Sequence, residues 1–205
     1  MKLLRIDSSP MGDTAISRVL TDEFVRGWLA ANRAGTVHTR DLTKIAIPVI
    51  DAEWVGANYT PEESRTPRQH EVLALSVKLI GELLDADEFV IGMPMHNWGP
   101  PASVKLWVDH IVTASSGTER PLAGTRVTLA GKRATFIIAA GGVFGPGSPK
   151  DHLAPWLRTL FGSLGVTDMR FVVTDGTRAP NKGLVDRAAF LAPHLEAIRA
   201  LFTPA

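Results

Sequence analysis

Short apolar runs that end on a polar residue alternate along the chain with longer stretches whose apolar residues recur every third or fourth position. Lys2–Asp7 is the first such run, with Leu3, Leu4 and Ile6 apolar and Asp7 closing it. Val37–Asp41, Phe89–Met93, Ala134–Ala139 and Met169–Thr174 repeat the pattern and predict four more strands. Between the strands the period changes. Ile16, Leu20, Phe24 and Trp28 fall four apart and predict a helix closed by Asn32 to Gly35. A long helix is predicted from Pro67 to Asp85, with Leu73, Val77, Ile80 and Leu84 on one stripe. The next carries Val104, Trp107, Val108 and Ile111 toward the core. Ser148 as cap and Pro149 in the first turn predict a helix whose buried stripe includes Leu153, Trp156, Leu157, Leu160, Phe161 and Leu164. Lys182–Leu201 reads as the last helix, kinked or divided by Pro193.

Two stretches fit neither period. Ile45–Pro67 is expected to be a long irregular connection with Trp54 exposed and a helix start at Thr60-Pro61-Glu62-Glu63. Thr113–Lys132 is polar and glycine-bearing, with a short hairpin expected around Arg126–Ala130. Five strands alternating with helices define an α/β fold. Its expected form is a doubly wound, five-stranded parallel sheet of flavodoxin-like order 2-1-3-4-5 with helices on both faces. The 205 residues suit a single domain, 1–205, with no linker, repeat or charge run.

Such sheets bind ligands at the carboxyl ends of their strands. Three loops fall there. The first, Ser8-Ser9-Pro10-Met11-Gly12-Asp13-Thr14-Ala15-Ile16-Ser17, is hydroxyl-rich and runs into a helix, an arrangement that aims backbone N–H groups at an anion. Ser9 and Ser17 could add donors to a phosphate. The same serines also suit capping and turning the chain, and the loop alone leaves both readings open. The second loop, after Phe89–Met93, holds Met95, His96, Asn97 and Trp98 between Pro94 and the pair Pro100-Pro101. Its side chains suit a flat ring, and the prolines stiffen it. The third, Ala139-Ala140-Gly141-Gly142, has almost no side-chain bulk, so backbone can approach a ligand closely.

Composition narrows the field. Charges nearly cancel, leaving a net charge of +1, so nothing electrostatic argues for nucleic acid or an anionic membrane as partner. Cysteine is absent, which removes disulfide scaffolds, thiolate metal sites and cysteine nucleophiles. The N-terminus lacks the apolar core of a signal peptide and no segment approaches a membrane span, so the cytoplasm is expected. Neither GxGxxG nor GxxxxGK[ST] occurs; a hydroxyl-rich first loop suits a monophosphate such as that of FMN. His70-Glu71 does not continue as HExxH, and Gly162-Ser163-Leu164-Gly165 lacks nucleophile-elbow spacing. His110 and His194 fall within helices and read as structural; Trp107 and Trp156 read as core. No metal site is expected.

Taken together, SSP with Ser17, TPRQ at 66–69, PMHNWGPPASVKLWVDHIV at 94–112, AAGGVFGPG at 139–147 and LRTLFGSLGVTDMRFV at 157–172 resemble the FMN-dependent NADH azoreductase family, relatives of the NAD(P)H:quinone oxidoreductases. The likeness covers nearly the whole chain, and PMxN[FW] followed by a lysine-and-aromatic helix is its specific part. It implies that Ser9 and Ser17, with Ala15 and Ile16 between them, hold the FMN phosphate. Met95, His96, Asn97 and Trp98 would border the isoalloxazine, and Ala139, Ala140, Gly141 and Gly142 its other side. Trp98 and Phe144 are the candidate substrate contacts. It further implies a homodimer that takes hydride from NADH or NADPH and, in a ping-pong exchange, reduces quinones and aromatic azo compounds.

Departures stand beside the likeness. His96 occupies a position more often Tyr or Phe, Ala139 and Ala140 replace a common Ser-Arg pair, and Phe144 replaces a histidine. His96 is therefore the candidate to take over an acid role. Two rival readings remain at this stage: a flavodoxin-type electron carrier, which a near-neutral charge argues against, and a flavin-free module that keeps the fold.

Overall fold

In the computed structural model, which describes residues 1–113, 128–145 and 147–203, the five expected strands are present: β1 (Lys2–Asp7), β2 (Thr36–Asp41), β3 (Glu88–Pro94), β4 (Arg133–Ala139) and β5 (Asp168–Thr174). They form one sheet in the order β2-β1-β3-β4-β5, every neighbouring pair parallel. The register sets Ile6 beside Ile91 and Gly92 beside Ile137, so the carboxyl ends of β1, β3 and β4 share one edge.

Each strand sends alternate side chains to opposite faces. Leu3, Val90 and Ile137 pack with Leu20, Phe24, Trp28 and Ile198. Leu4, Ile91 and Phe136 pack with Trp107 and Phe161 on the other side. Two apolar layers therefore sandwich the sheet, which is why β3 is buried along nearly its whole length. The first layer is covered by α1 (Ile16–Ala31) and α7 (Arg187–Ala200). The second is covered by α3 (Pro67–Asp85), α4 (Ala102–Ile111) and α5 (Leu153–Ser163). The start of α3 is set by a complete capping box: Thr66 accepts from the Gln69 N–H, and the Gln69 side chain returns the bond.

Several local expectations are corrected. The connection after β2 is not irregular throughout, because Ala52–Tyr59 forms a helix, α2, capped by Asp51. Trp54 on it is 7 % exposed, not solvent-facing. Its Nε1–H donates to Ser76 Oγ (3.1 Å), and the chain continues through His110 to the Pro48 carbonyl (2.8 and 2.9 Å). Ser76 joins the inner face of α3 while Val77 turns out, because a buried hydrogen-bonded serine serves that network better than a valine would. The expected helix start at Thr60 yields only a three-residue turn, Glu62–Ser64; Thr60 instead closes α2, its Oγ1 donating to the Gly56 carbonyl (2.8 Å).

The helix expected from Ser148 begins at Leu153. There Asp151 accepts from the N–H groups of Leu153 and Ala154 (both 3.0 Å), so the true cap lies three residues later. Trp156 on that helix is half-buried rather than core. The last expected helix, from Lys182, begins only at Arg187, as α7, and an unexpected short helix, α6 (Arg178–Asn181), precedes it. Gly183, in the left-handed region, ends α6, and Asp186 caps α7 through the Ala189 N–H (2.7 Å). Pro193 lies inside α7 without dividing it. The expected hairpin around Arg126–Ala130 begins outside the described residues; Thr128–Ala130 form no strand, and buried Leu129 donates its N–H to Leu164 O (2.7 Å).

Candidate active site

The first loop is tied down from three sides. Ser8 Oγ donates to the Gly92 carbonyl (3.1 Å), which locks the end of β1 to β3. Arg18 reaches back from the first turn of α1 to Asp41 (2.7 Å) and lies 3.6 Å from Asp7, closing the loop from below. Gly92 lets α1 come close, since a Cβ there would stand 2.4 Å from Thr21 Oγ1. Helix α1 begins after Ala15, which is extended and provides no side-chain cap, and its first turn carries no acidic residue. The N–H groups at the start of such a helix have no intrahelical partner. Ser17, in the first turn of the helix, is 1 % exposed. Ser9 is buried too; its Oγ accepts only a long bond from the Met11 N–H (3.4 Å). Ala15 does not offer a donor, as its N–H is bonded to the Gly12 carbonyl (3.0 Å).

The second loop is a tight turn. His96 and Gly99 exchange two backbone hydrogen bonds of 3.0 Å each, and the residues between them, Asn97 and Trp98, both have positive φ (49° and 67°). Met95 N–H donates to the Ala139 carbonyl (2.8 Å), which joins this loop to the end of β4. The turn thus presents Trp98 outward, 53 % exposed.

The third loop is clamped by the segment after β5. Thr177 gives both its N–H and its hydroxyl to the Ala140 carbonyl (3.0 Å each), Gly176 N–H bonds Gly142 O (2.9 Å), and Arg178 N–H bonds Gly141 O (3.3 Å). Beyond it, Asp175 accepts from the N–H groups of Phe144 (2.7 Å) and Gly145 (2.9 Å). Those two bonds hold its carboxyl below the usual carboxylate range. Ala139 and Ala140 are buried, whereas a Cβ built on Gly141 would meet nothing within 4 Å.

Loops two and three enclose a cavity of about 680 Å³. Met95, His96, Asn97 and Trp98 form one side; Gly141, Gly142, Val143 and Phe144 form the other; Lys150 and Arg178 complete it. Of the residues singled out in the sequence, seven therefore meet in one space. Ser9, Ala15, Ile16 and Ser17 lie along the same sheet edge without lining that cavity, and Ala139 and Ala140 sit beneath its glycine wall. Lys150, Arg178 and the supporting Asp175 were not anticipated. The only local signal was their place just after the loops, since what they touch is distant in the chain. Among the described residues no group of three or more His, Asp or Glu could hold a metal ion.

This geometry defines a doubly wound α/β protein with a hydroxyl-bearing first loop and a cleft of about 680 Å³ at one sheet edge. A family model described as flavodoxin-like fold matches residues 1–201. An FMN-dependent NADH:quinone oxidoreductase of Burkholderia lata is 57% identical over 204 residues, covering 98% of this chain and 99% of that protein. One from Acidobacterium capsulatum is 44% identical over 202 residues, covering 97% and 98%. The chain belongs to the flavodoxin-like family, in the branch of the FMN-dependent NADH:quinone oxidoreductases. Among solved structures, an azoreductase of Bacillus anthracis superposes with a TM-score of 0.82 at 22% identity, covering 98% of each chain. An FMN-dependent NADH-azoreductase of the same species in complex with FMN also scores 0.82, at 21% identity and 98% and 97% coverage. These two bear on the fold.

Proposed function

We propose that the protein is an FMN-dependent oxidoreductase that takes hydride from NADH or NADPH and reduces quinones and aromatic azo compounds. Both substrates would use the same cleft in turn, a ping-pong order. The observation that carries this reading is the cavity between Met95–Trp98 and Gly141–Phe144. Its size falls in the usual range for small-molecule sites, roughly 300–1,000 Å³.

The residues present fit the cofactor. Ser17's buried hydroxyl and the uncapped start of α1 would hold the FMN phosphate together with Ser9, with N–H donors from Ile16 and Ser17. Met95, His96, Asn97 and Trp98 would border the isoalloxazine on one side. The strand end from Ala139 to Gly142 would pass along the other, with open space at Gly141 for the ring. Bound there, FMN would supply the reversible hydride transfer that no side chain of this protein provides. Trp98 and Phe144 would give the substrate a flat apolar bed. His96 is exposed on the loop, and we assign it the proton exchange at the substrate's reduced oxygen or nitrogen. An unchanged pH–rate profile in His96→Phe would remove that role.

A homodimer in the cytoplasm belongs to the same reading; among the described residues no helix is long and apolar enough to cross a membrane. Sedimentation and cell fractionation check those two statements. The central test is anaerobic. A yellow protein that bleaches with NADH or NADPH and regains colour with a quinone or azo compound is the expected result. Colour that NADH leaves untouched would make the protein an electron carrier, and failure to bind added FMN would make it a flavin-free module. For the phosphate loop, Ser17→Ala should weaken FMN binding roughly tenfold while riboflavin binding changes little, because hydrogen bonds to charged groups contribute about 1.5–3 kcal/mol.

A further inference from the structure

The charge around the cleft is one-sided. Lys150 and Arg178 both line it, and among the described residues no carboxylate does. Several cations elsewhere are matched, Arg5 to Asp7, Arg18 to Asp41, Arg40 to Glu82 and Arg133 to Asp168, while others such as Arg65, Lys132 and Arg158 are met by backbone carbonyls or a ring. Among the described residues the side chains of Lys150 and Arg178 make no ion pair. The nearest carboxylates in the chain, Asp151 and Asp175, line an adjoining hollow of about 390 Å³ instead. Both are already engaged by backbone N–H groups, Asp151 at the start of α5 and Asp175 under the third loop. Nor is Arg178 loosely placed. Its own N–H bonds Gly141 O, and the preceding Thr177 is doubly bonded to Ala140 O, so its backbone moves with the glycine wall.

The whole chain carries a net charge of only +1, so this positive lining is local rather than a consequence of a basic protein. A concave site with one sign of charge focuses its field and raises the local concentration of oppositely charged ligands. Arginine's planar fork suits the paired oxygens of carboxylate, sulfonate or phosphate, and lysine adds a mobile point charge.

We propose that Lys150 and Arg178 form an anion subsite of the cleft, so that its preferred substrates carry a carboxylate, sulfonate or phosphate beside the reacting ring. The proposal rests on the reading of this cleft as the flavin and substrate site. One chemistry has two sources here: the pyrophosphate of the pyridine nucleotide, or an acid group on the acceptor.

Anaerobic stopped-flow on the holoenzyme separates them. The donor arm compares NADH with dihydronicotinamide riboside, which has no phosphate. The acceptor arm compares 1,4-naphthoquinone with its 2-sulfonate. In Arg178→Gln and in Arg178→Gln/Lys150→Gln, the rate constant for the charged member of at least one pair should fall at least tenfold more than for its uncharged partner. The difference should shrink as salt rises, and Arg178→Lys should recover part of it. Loss in the donor arm assigns the subsite to the nucleotide's phosphates, and loss in the acceptor arm assigns it to acidic acceptors. Equal losses within both pairs, or a change confined to the Kd of FMN, would overturn the proposal. A second measurement needs no flavin: tryptophan fluorescence titration with 2-naphthalenesulfonate against 2-methylnaphthalene. Wild type should prefer the sulfonate at least tenfold more than Arg178→Gln does, and an equal preference overturns the subsite. A wild-type protein that never holds FMN would instead sink the enzyme reading, a distinct result.

Discussion

Trp98 breaks a local rule. Two-residue turns with both central φ values positive favour Asn-Gly, yet here tryptophan follows Asn97 at φ 67°. A bulky residue held in the left-handed region costs about 1–2 kcal/mol, and an indole more than half exposed recovers little of that by packing. Strain of this kind is expected where a residue serves a site. Trp98→Gly should therefore raise stability by about 1 kcal/mol, roughly 2–4 °C in Tm for a chain this size, while weakening FMN or substrate binding. A lower Tm would mean that the ring contributes to the fold after all. Asp175 is the opposite kind of residue, a support with no reacting partner. The N–H groups of Gly145 and Phe144 depress its carboxyl, so its stabilisation is complete above the unfolded value near 4 and is lost as pH falls through the lower folded value. The Tm gap between wild type and Asp175→Asn should hold steady from about pH 5.5 to 8 and close below about pH 4. A gap indifferent to pH would remove the charge from the account. Nothing around Asp175 in the chain announces this, because its partner amides lie some thirty residues earlier.

At the scale of elements, the distance between α1 and β3 is set at Gly92. A methyl group there would come within 2.4 Å of Thr21 Oγ1, whose hydroxyl already donates to the Ser17 carbonyl (2.8 Å). Gly92→Ala should destabilise by about 1–3 kcal/mol and shift loop one, and Thr21→Ala should recover much of that in a double-mutant cycle. Additive losses, read from denaturant midpoints, would show that the two residues do not meet. Strands were legible to within a residue or so at each end, since apolar runs with polar stops are local. Helix starts were less so. Ser148-Pro149 and Thr60-Pro61 carry cap signatures as good as any, but Asp151 outcompetes Ser148, and Thr60 closes the preceding helix instead. A cap signature states what a residue can accept, not which of two neighbouring caps wins.

For the molecule as a whole, a ligand held by three loops from β1, β3 and β4 links separate parts of one sheet edge. FMN at a hundred times its Kd should stabilise the protein by about 2.7 kcal/mol, a Tm rise of roughly 5–10 °C. Absence of any shift at saturating FMN would contradict a cofactor gripped by those loops. What the sequence determined on its own was the alternation of strand and helix, the parallel sheet it implies, and the chemical character of each loop: hydroxylated, bulky or bare. These follow from burial on both sheet faces and from turn chemistry, both of which act over a few residues. Only the tertiary structure decided which groups meet. It placed Asp175 under Phe144, brought Lys150 and Arg178 together in the cleft between the second and third loops, and buried Trp54 against Ser76. Parallel strands joined by crossover helices bring distant residues side by side, and no local period in the chain records those meetings.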